Sequence, residues 1–325
     1  MPSEIIALGD INIDLTIPVE APPAPGEEAY VDEAATALGG SALNTSRVLA
    51  CLGLGVGMLA AVGGDEWGRR ATDELAAARV ATDRIQVVDG NTGLNLIMVS
   101  PGGERTMVAV RGANRRLQLP PDWSSGCRWL HVSAYALLQD PQRRACLAAL
   151  ATAHRHGIPV SADIPSGVAR DLGPKLVDDL GPVRCLSAGK RSIEVVTGGA
   201  GPGSLLEAGI GLSAVTAGAS PVELMTAADS VAVPPPRVDA VDTSGAGDWF
   251  VAGLIAATYR GLELGPSALV ATARGTAATL APGTGTARID VRLSRVLGAE
   301  WNEVEADWIE AARPMLSEIV DTEPA

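Results

Sequence analysis

The stretch Asp242-Thr-Ser-Gly-Ala-Gly-Asp248, followed at once by the apolar run from Trp249 to Ala257, combines small residues, a carboxylate and a helix-like segment. The amides of Gly245, Ala246 and Gly247 can point together at whatever lies over the helix N-terminus, which makes an anion site. Glycine at 245 and 247 lets the backbone approach a ligand closely, and Ala246 adds only a methyl. Asp248 stands where a carboxylate could take a proton from a hydroxyl while the amides hold a transferring phosphoryl group. An anion hole plus a base is the minimum for phosphoryl transfer to an alcohol. The same residues also fit a second reading, in which Asp248 caps the helix and the glycines make a tight turn.

Two stretches near the start of the chain place polar groups beside glycines. Ile5 to Leu8 reads as a buried strand ending at Gly9-Asp10. Asn12 and Asp14 follow at a spacing of two, so on an extended chain they face the same way, which suits either sugar hydroxyls or an Asx turn. Gly39-Gly-Ser-Ala-Leu-Asn44 then leads into a helical pattern closed by Gly53, with Asn44 in the first turn.

Asp-Thr-x-Gly-Ala-Gly-Asp before an apolar helix resembles the carboxy-terminal signature of the ribokinase-like (PfkB) family of carbohydrate and nucleoside kinases. Asn12-x-Asp14 and the Gly39-Gly40 to Asn44 segment resemble its substrate-binding positions, and Gly63-Gly-Asp-Glu-Trp-Gly68 resembles a further turn of the family. The resemblance spans roughly residues 4 to 291. It implies a three-layer α/β/α sandwich with a mostly parallel central sheet and a small β-sheet lid. It also implies Asp248 as base, the Gly245, Ala246 and Gly247 amides at the developing charge, and Asn12, Asp14, Gly39, Gly40 and Asn44 around the acceptor. Val215-Thr-Ala-Gly218 resembles the nucleotide-side strand end, so Thr216 and Gly218 become ATP contacts. Glu194 is implied for Mg2+, and Asp242 with Ser244 for a monovalent cation such as K+.

Three departures stand out. Ser41 occupies a position that is lysine in many ribokinases. Arg191 stands where the family's Asn-x-x-Glu has asparagine, and a guanidinium cannot accept a hydrogen bond from a metal-bound water. Some relatives place a sugar-binding carboxylate after the strand that begins at Trp129, where this chain has Tyr135 and Gln139.

Composition bounds the rest. With 325 residues the chain can bury a sizeable core, and one Phe among 47% hydrophobic residues makes that core aliphatic. A net charge of −13 argues against nucleic acid and against an anionic membrane surface. The four cysteines are widely spaced without a Cys-x-x-Cys pair, so a reducing cytoplasm is expected. Glu4, Asp10 and Asp14 interrupt what a signal peptide would need apolar, and no run of eighteen apolar residues occurs. Three scattered histidines form no metal cluster, and His131 is read as structural.

Strand-like and helix-like segments alternate from 128 to 233, which implies a parallel sheet covered on both faces. The expected division is a core of residues 1–298, interrupted by lid segments at about 14–34 and 92–112, and an acidic amphipathic extension over 299–325. Lid strands are expected at about 14 to 18, at 28 to 34, and in a hairpin of Leu94 to Val99 and Thr106 to Val110 around Gly102-Gly103. Arg105 and Arg111 could project toward the site, but solvent-facing lid charges are the favoured reading. Gly53 to Gly57 is a helix stop, since a dinucleotide loop must join a strand to a helix in that order. Gly198 to Gly203 lacks the Lys-Ser/Thr ending of a phosphate loop and reads as a connection. In the extension, Trp301, Val304, Trp308, Ile309, Ala312, Met315, Leu316 and Ile319 fall on helical spacing, with a kink or break at Pro314. The lid strands leave an apolar face that two chains could bury together as a homodimer.

The expected activity is transfer of the γ-phosphoryl group of ATP to a primary hydroxyl of a sugar. A nucleoside kinase of the same fold is the alternative, weakened by one Phe and three Tyr available for stacking. A catalytically silent sugar-binding protein is the alternative of another class.

Overall fold

An uninterrupted apolar strand has to be covered on both faces, and Ile5–Leu8 (β1) is buried at all four positions. Ile5 packs into one core while Ile6 and Leu8 pack into another, as alternation along a strand demands. The structure, a computed structural model, describes residues 3–101, 104–286, 289–299, 301 and 304–317.

The chain leaves its main sheet twice. From β1 it passes into a smaller sheet through β2 (Asn12–Pro18) and β3 (Ala35–Gly39). It returns by the helix Ser41–Cys51 to β4 (Val56–Gly63), the helix Glu66–Ala77, β5 (Val80–Ala81) and β6 (Ile85–Val88). It goes out again on β7 (Gly93–Val99) and β8 (Arg105–Val110). It then stays with the main sheet through β9 (Trp129–Ser133), β10 (Val160–Ile164), β11 (Cys185–Gly189), β12 (Ser213–Ala217), β13 (Ser220–Met225) and β14 (Ser230–Val233). The main order is β14-β13-β12-β11-β10-β9-β1-β4-β5, with β6 pairing on β4. Pairing is parallel from β12 across to β5 and antiparallel at the β13 and β14 edge. The sequence pattern does not reveal those two edge strands.

One face of the main sheet is covered by Ser41–Cys51, Ala246–Tyr259 and Leu264–Ala278. The other is covered by Gln142–His156, Lys175–Leu180 and Lys190–Val196. This is the expected three-layer sandwich. In the small sheet, ordered β3-β2-β7-β8, β2 pairs antiparallel with β3 and parallel with β7.

The expected strand at 28 to 34 does not form; pairing begins at Ala35. Its register sets Gly39 beside Asn12, and a Cβ at Gly39 would lie 2.1 Å from an Asp14 carboxylate oxygen, so glycine is what lets this strand close in. The Gly102-Gly103 turn lies outside the described residues, as does Ile319. Asp65 caps the helix Glu66–Ala77 by accepting from Gly68 N (2.8 Å) and also holds Thr92 N (2.8 Å), fixing the point where the chain departs for β7.

The helix Ala306–Ser317 runs through Pro314 instead of breaking there. Ala312, Met315 and Leu316 are buried against Leu264–Ala278, and this packing outweighs the hydrogen bond that proline removes. Trp308 lies flat enough on Gly265 that a Cβ there would come within 2.2 Å of the ring. The buried Arg274 side chain donates to Met315 O at 2.7 Å, tying the two helices.

Candidate active site

Two helices begin at one cavity of about 1410 Å³, which lies between the small sheet and the carboxyl ends of the parallel strands. That end of an open parallel sheet is where ligands bind. The helix Ser41–Cys51 starts after Gly40 (φ 117°), and Ala246–Tyr259 starts after Gly245 (φ 70°). Both N-termini therefore turn their free amides and positive dipole ends toward the space between them.

Asp248 sits in the first turn of the second helix, and its carboxylate accepts from Asn44 Nδ2 at 2.7 Å, across from the first. Thr45 Oγ1 reaches the Asp248 carbonyl at 3.3 Å. Burial pushes the Asp248 carboxyl up to about 7, aided by the negative charges of Asp163 and Asp14; hydrogen bonds from Asn44 and Ser41 oppose the rise. A carboxylate that titrates near neutrality is matched to taking a proton from an alcohol.

The loop before the second helix is held by Asp242. Its Oδ1 accepts from Ser244 N (2.8 Å) and Oγ (2.6 Å), and its Oδ2 from Gly283 N (2.9 Å). Although burial works against ionisation, these bonds and Arg105 keep the carboxyl below its usual range. Gly245 fits because its positive φ favours glycine and because a Cβ would press on Thr284 at 2.9 Å.

Asn12 and Asp14 of β2 line the same cavity. Asn12 Oδ1 accepts from Asn114 (2.8 Å), and Asp14 Oδ1 from Asn95 Nδ2 (2.8 Å). Burial raises the Asp14 carboxyl, offset in part by Asn95 and Arg105.

Over residues 2–178 and 194–291 the chain matches the pfkB family carbohydrate kinases. It belongs to that family. Among its relatives, a fructokinase of Klebsiella pneumoniae is 31% identical over 271 residues, 77% of this chain and 88% of that one. An ATP-dependent ribose-1-phosphate kinase of Halopiger xanaduensis is 28% identical over 257 residues, 78% and 83% of the two chains. Among solved structures, the Methanocaldococcus jannaschii nucleoside kinase superposes with a TM-score of 0.76 at 20% identity, over 90% of this chain and 98% of that one. An Arabidopsis thaliana ribokinase complexed with ribose and ATP gives 0.75 at 20% identity, over 87% and 94%. The fold is the ribokinase fold, and this pfkB-family chain is an ATP-dependent carbohydrate kinase.

Within the kinase, the cavity brings together Asn12, Asp14, Gly40, Asn44, Thr216, Asp242, Ser244, Gly245, Gly247 and Asp248. Four expected site residues are not in its lining. Gly39 is buried behind Asp14; Ala246 gives its N–H to Thr243 O (3.3 Å) and packs against the core; Gly218 forms the turn after β12. Glu194 is exposed in an adjoining recess with Lys190, Arg191 and Thr216. The stretch left unmatched by the family, 179–193, contains Arg191.

Arg111 and the still exposed Arg105 are both paired at the site instead of standing alone as lid charges. Arg105 of β8 pairs with Asp242 across the cavity. Arg111 donates to both oxygens of Asp10 (3.0 and 2.9 Å) and to Gln142 Oε1 (2.6 Å). Sequence reasoning also missed Asp163, a carboxylate in the cavity wall at the end of β10. The available signal was an aspartate in the last turn of a buried parallel strand.

Proposed function

We propose that this kinase phosphorylates a primary hydroxyl of a free sugar. The observation that carries the reading is Asp248, poised near neutrality in the first turn of a helix and facing Asp14 and Asn44 in one cavity. Asp14, Asn12 and Asn44 orient the acceptor hydroxyls. Asp248 takes the proton of the hydroxyl that attacks. The amides at Gly245 and Gly247 stabilise charge on the transferring phosphoryl group. Thr216 borders the nucleotide side, and Lys190 and Arg191 add positive charge beside it. Tyr135 is the one aromatic side chain in the cavity lining, which offers a nucleoside base little to stack on and favours a free sugar.

Magnesium brought in by the nucleotide neutralises phosphate charge when bound. Such an ion needs only one or two carboxylates besides phosphate oxygens, and Glu194 in the recess fits that part; no cluster of three ligating side chains occurs among the described residues. A monovalent cation at Asp242 and Ser244 fits poorly. Oδ1 of Asp242 already accepts from Ser244 and Arg105 and Oδ2 from Gly283, so a cation there has to share the carboxylate with the Arg105 charge.

ATP consumption measured across pentoses, hexoses, sugar phosphates and nucleosides tests the reading. Turnover confined to nucleosides would sink the free-sugar assignment, and no turnover with any acceptor would favour a silent binding protein. Asp14→Ala is expected to weaken acceptor binding by about 1.5–3 kcal/mol, the worth of a hydrogen bond to a charged group, with ATP affinity little changed. Equal losses for both ligands would mean that Asp14 is structural.

The small sheet acts in this reading as a lid that excludes water. Its β8 strand is exposed throughout, and Val108 and Val110, which alternate with the cavity-lining Arg105, Met107 and Ala109, each show about half their surface on the outer face. Two chains pairing these faces would bury them. Sedimentation at micromolar concentration is expected to show a dimer; a single species near 33.2 kDa would exclude it. Cys127, Cys146 and Cys185 form no disulfide, which suits a reducing cytoplasm.

A further inference from the structure

Among the described residues, six carboxylates line the cavity against two guanidinium groups, those of Arg105 and Arg111. A triphosphate entering it meets mostly its own sign of charge, and magnesium offsets only part of that repulsion. We propose that Arg105, carried on the lid strand β8, leaves Asp242 for the γ-phosphoryl group of ATP and holds it for transfer. The inference rests on the proposed seat of that group at the Gly245 and Gly247 amides.

Arg111 is already committed. It donates to both oxygens of Asp10 after β1 and to Gln142 Oε1, and only 12% of its side chain is exposed. Arg105 is placed differently. Its side chain is 31% exposed and that of its partner Asp242 21%, so water screens the pair and keeps it weak. Such a pair exchanges readily for a phosphate, which offers a guanidinium more charge and a bidentate fit.

The pairing also fixes where the guanidinium stands. It donates to Asp242 Oδ1, the oxygen that accepts from Ser244 N (2.8 Å) and Ser244 Oγ (2.6 Å). Ser244 directly precedes Gly245, so a single oxygen atom links the Arg105 charge to the loop that opens the second helix. On β8, Arg105, Met107 and Ala109 alternate toward the cavity, and Arg105 is the one cation among them.

Arg105 lies opposite Val99, where β7 ends and β8 begins, and so at the tip of the lid. A charge at the tip reaches the nucleotide only when the small sheet covers the cavity. Closure and charge stabilisation therefore arrive together, and an open lid leaves the phosphoryl group without the help that would speed its loss to water. Arg105 makes and breaks no covalent bond. The acceptor oxygen bonds to phosphorus as the ADP oxygen leaves, Asp248 takes the acceptor's proton, and the guanidinium balances charge on the phosphoryl oxygens.

Arg105→Ala, Arg105→Gln and Arg105→Lys test the assignment, with magnesium-ATP and magnesium-ADP each titrated into the protein in the absence of acceptor. ADP lacks the γ-phosphoryl group. The Ala and Gln variants are therefore expected to lose about tenfold in ATP affinity, the effect of one hydrogen bond to a charged group, and to bind ADP as wild type does. Their kcat is expected to fall about a hundredfold or more, as on loss of one donor to the developing charge, with the acceptor KM little changed. Arg105→Lys keeps the charge without the planar fork and should recover part of both losses. Wild-type turnover in Arg105→Ala overturns the proposal. Equal losses for ATP and ADP also overturn it and leave Arg105 a lid fastening, and a raised acceptor KM at an unchanged ATP-to-ADP ratio would place it on the acceptor instead. If Arg105→Ala fails to fold, an unchanged ratio in Arg105→Gln decides against the proposal. The ratio is read without turnover, so an active Asp248→Asn or a nucleoside acceptor would remove the base or the free sugar and leave the Arg105 result intact.

Discussion

Replacing Asp248 by asparagine is expected to lower kcat by about two to four orders of magnitude while ATP still binds and the folded protein becomes more stable above neutral pH. The kinetic loss follows from geometry: Asn44 positions Asp248 in the cavity that also holds Asp14. The stability gain follows from linkage. The folded-state carboxyl is raised from 3.8 to about 7, so between those values the folded chain keeps a proton that the unfolded chain has released. Stability therefore falls as pH rises through this window and is lowest above it. Asparagine has no charge to bury and escapes the decline, a difference of at most about 4 kcal/mol. Melting curves at pH 5 and pH 8 report it as a gain of the variant relative to wild type that is larger at the higher pH. A constant difference would mean that Asp248 ionises freely, and near-normal turnover would take it out of the mechanism.

Gly40→Ala is expected to destabilise the fold by about 3 kcal/mol or more and to abolish measurable acceptor binding. Gly40 has φ 117°, a conformation that L side chains rarely adopt, and a Cβ there would lie 2.2 Å from Asp10 O. That obstacle is backbone, and it cannot swing aside because Asp10 is held by Arg111 and Gln142. Gly247 is the control, with no positive φ and nothing near its missing Cβ. Chemical denaturation of both alanine variants separates the cases: a Gly40→Ala midpoint matching that of Gly247→Ala would refute the steric account.

What could be read from the sequence was what lies close together along it. The Asp242 to Asp248 loop carries its expected anion site and proposed base within seven residues, and Asn12 and Asp14 share a face through strand periodicity alone. Asp163 meets Ser41 only because β10 lies one strand from β9 in the sheet order, which local patterns do not encode. Arg105 looked solvent-facing for the same reason, since its partner Asp242 is 137 residues away. The lid strand that the resemblance implies at 28 to 34 pairs only from Ala35, because the close backbone approach at Gly39 sets its place. A kink or break is expected at Pro314 because propensity is blind to the Leu264–Ala278 helix that holds the last turn.

The Asn44–Asp248 bond joins residues 204 positions apart, and this has a consequence for biosynthesis. At ~5–20 residues per second a ribosome needs roughly 10–40 s to travel from one to the other. Throughout that interval the helix Ser41–Cys51 exists without the helix that covers it, and Ile5, Val48 and Leu49 lack the partners they meet in the finished core. Contacts of such long range slow folding and lengthen exposure to aggregation. The nascent amino-terminal half thus exposes apolar surface of the kind that chaperones exist to cover. Thr284, packed on Gly245, completes the cavity wall only after it too has left the exit tunnel.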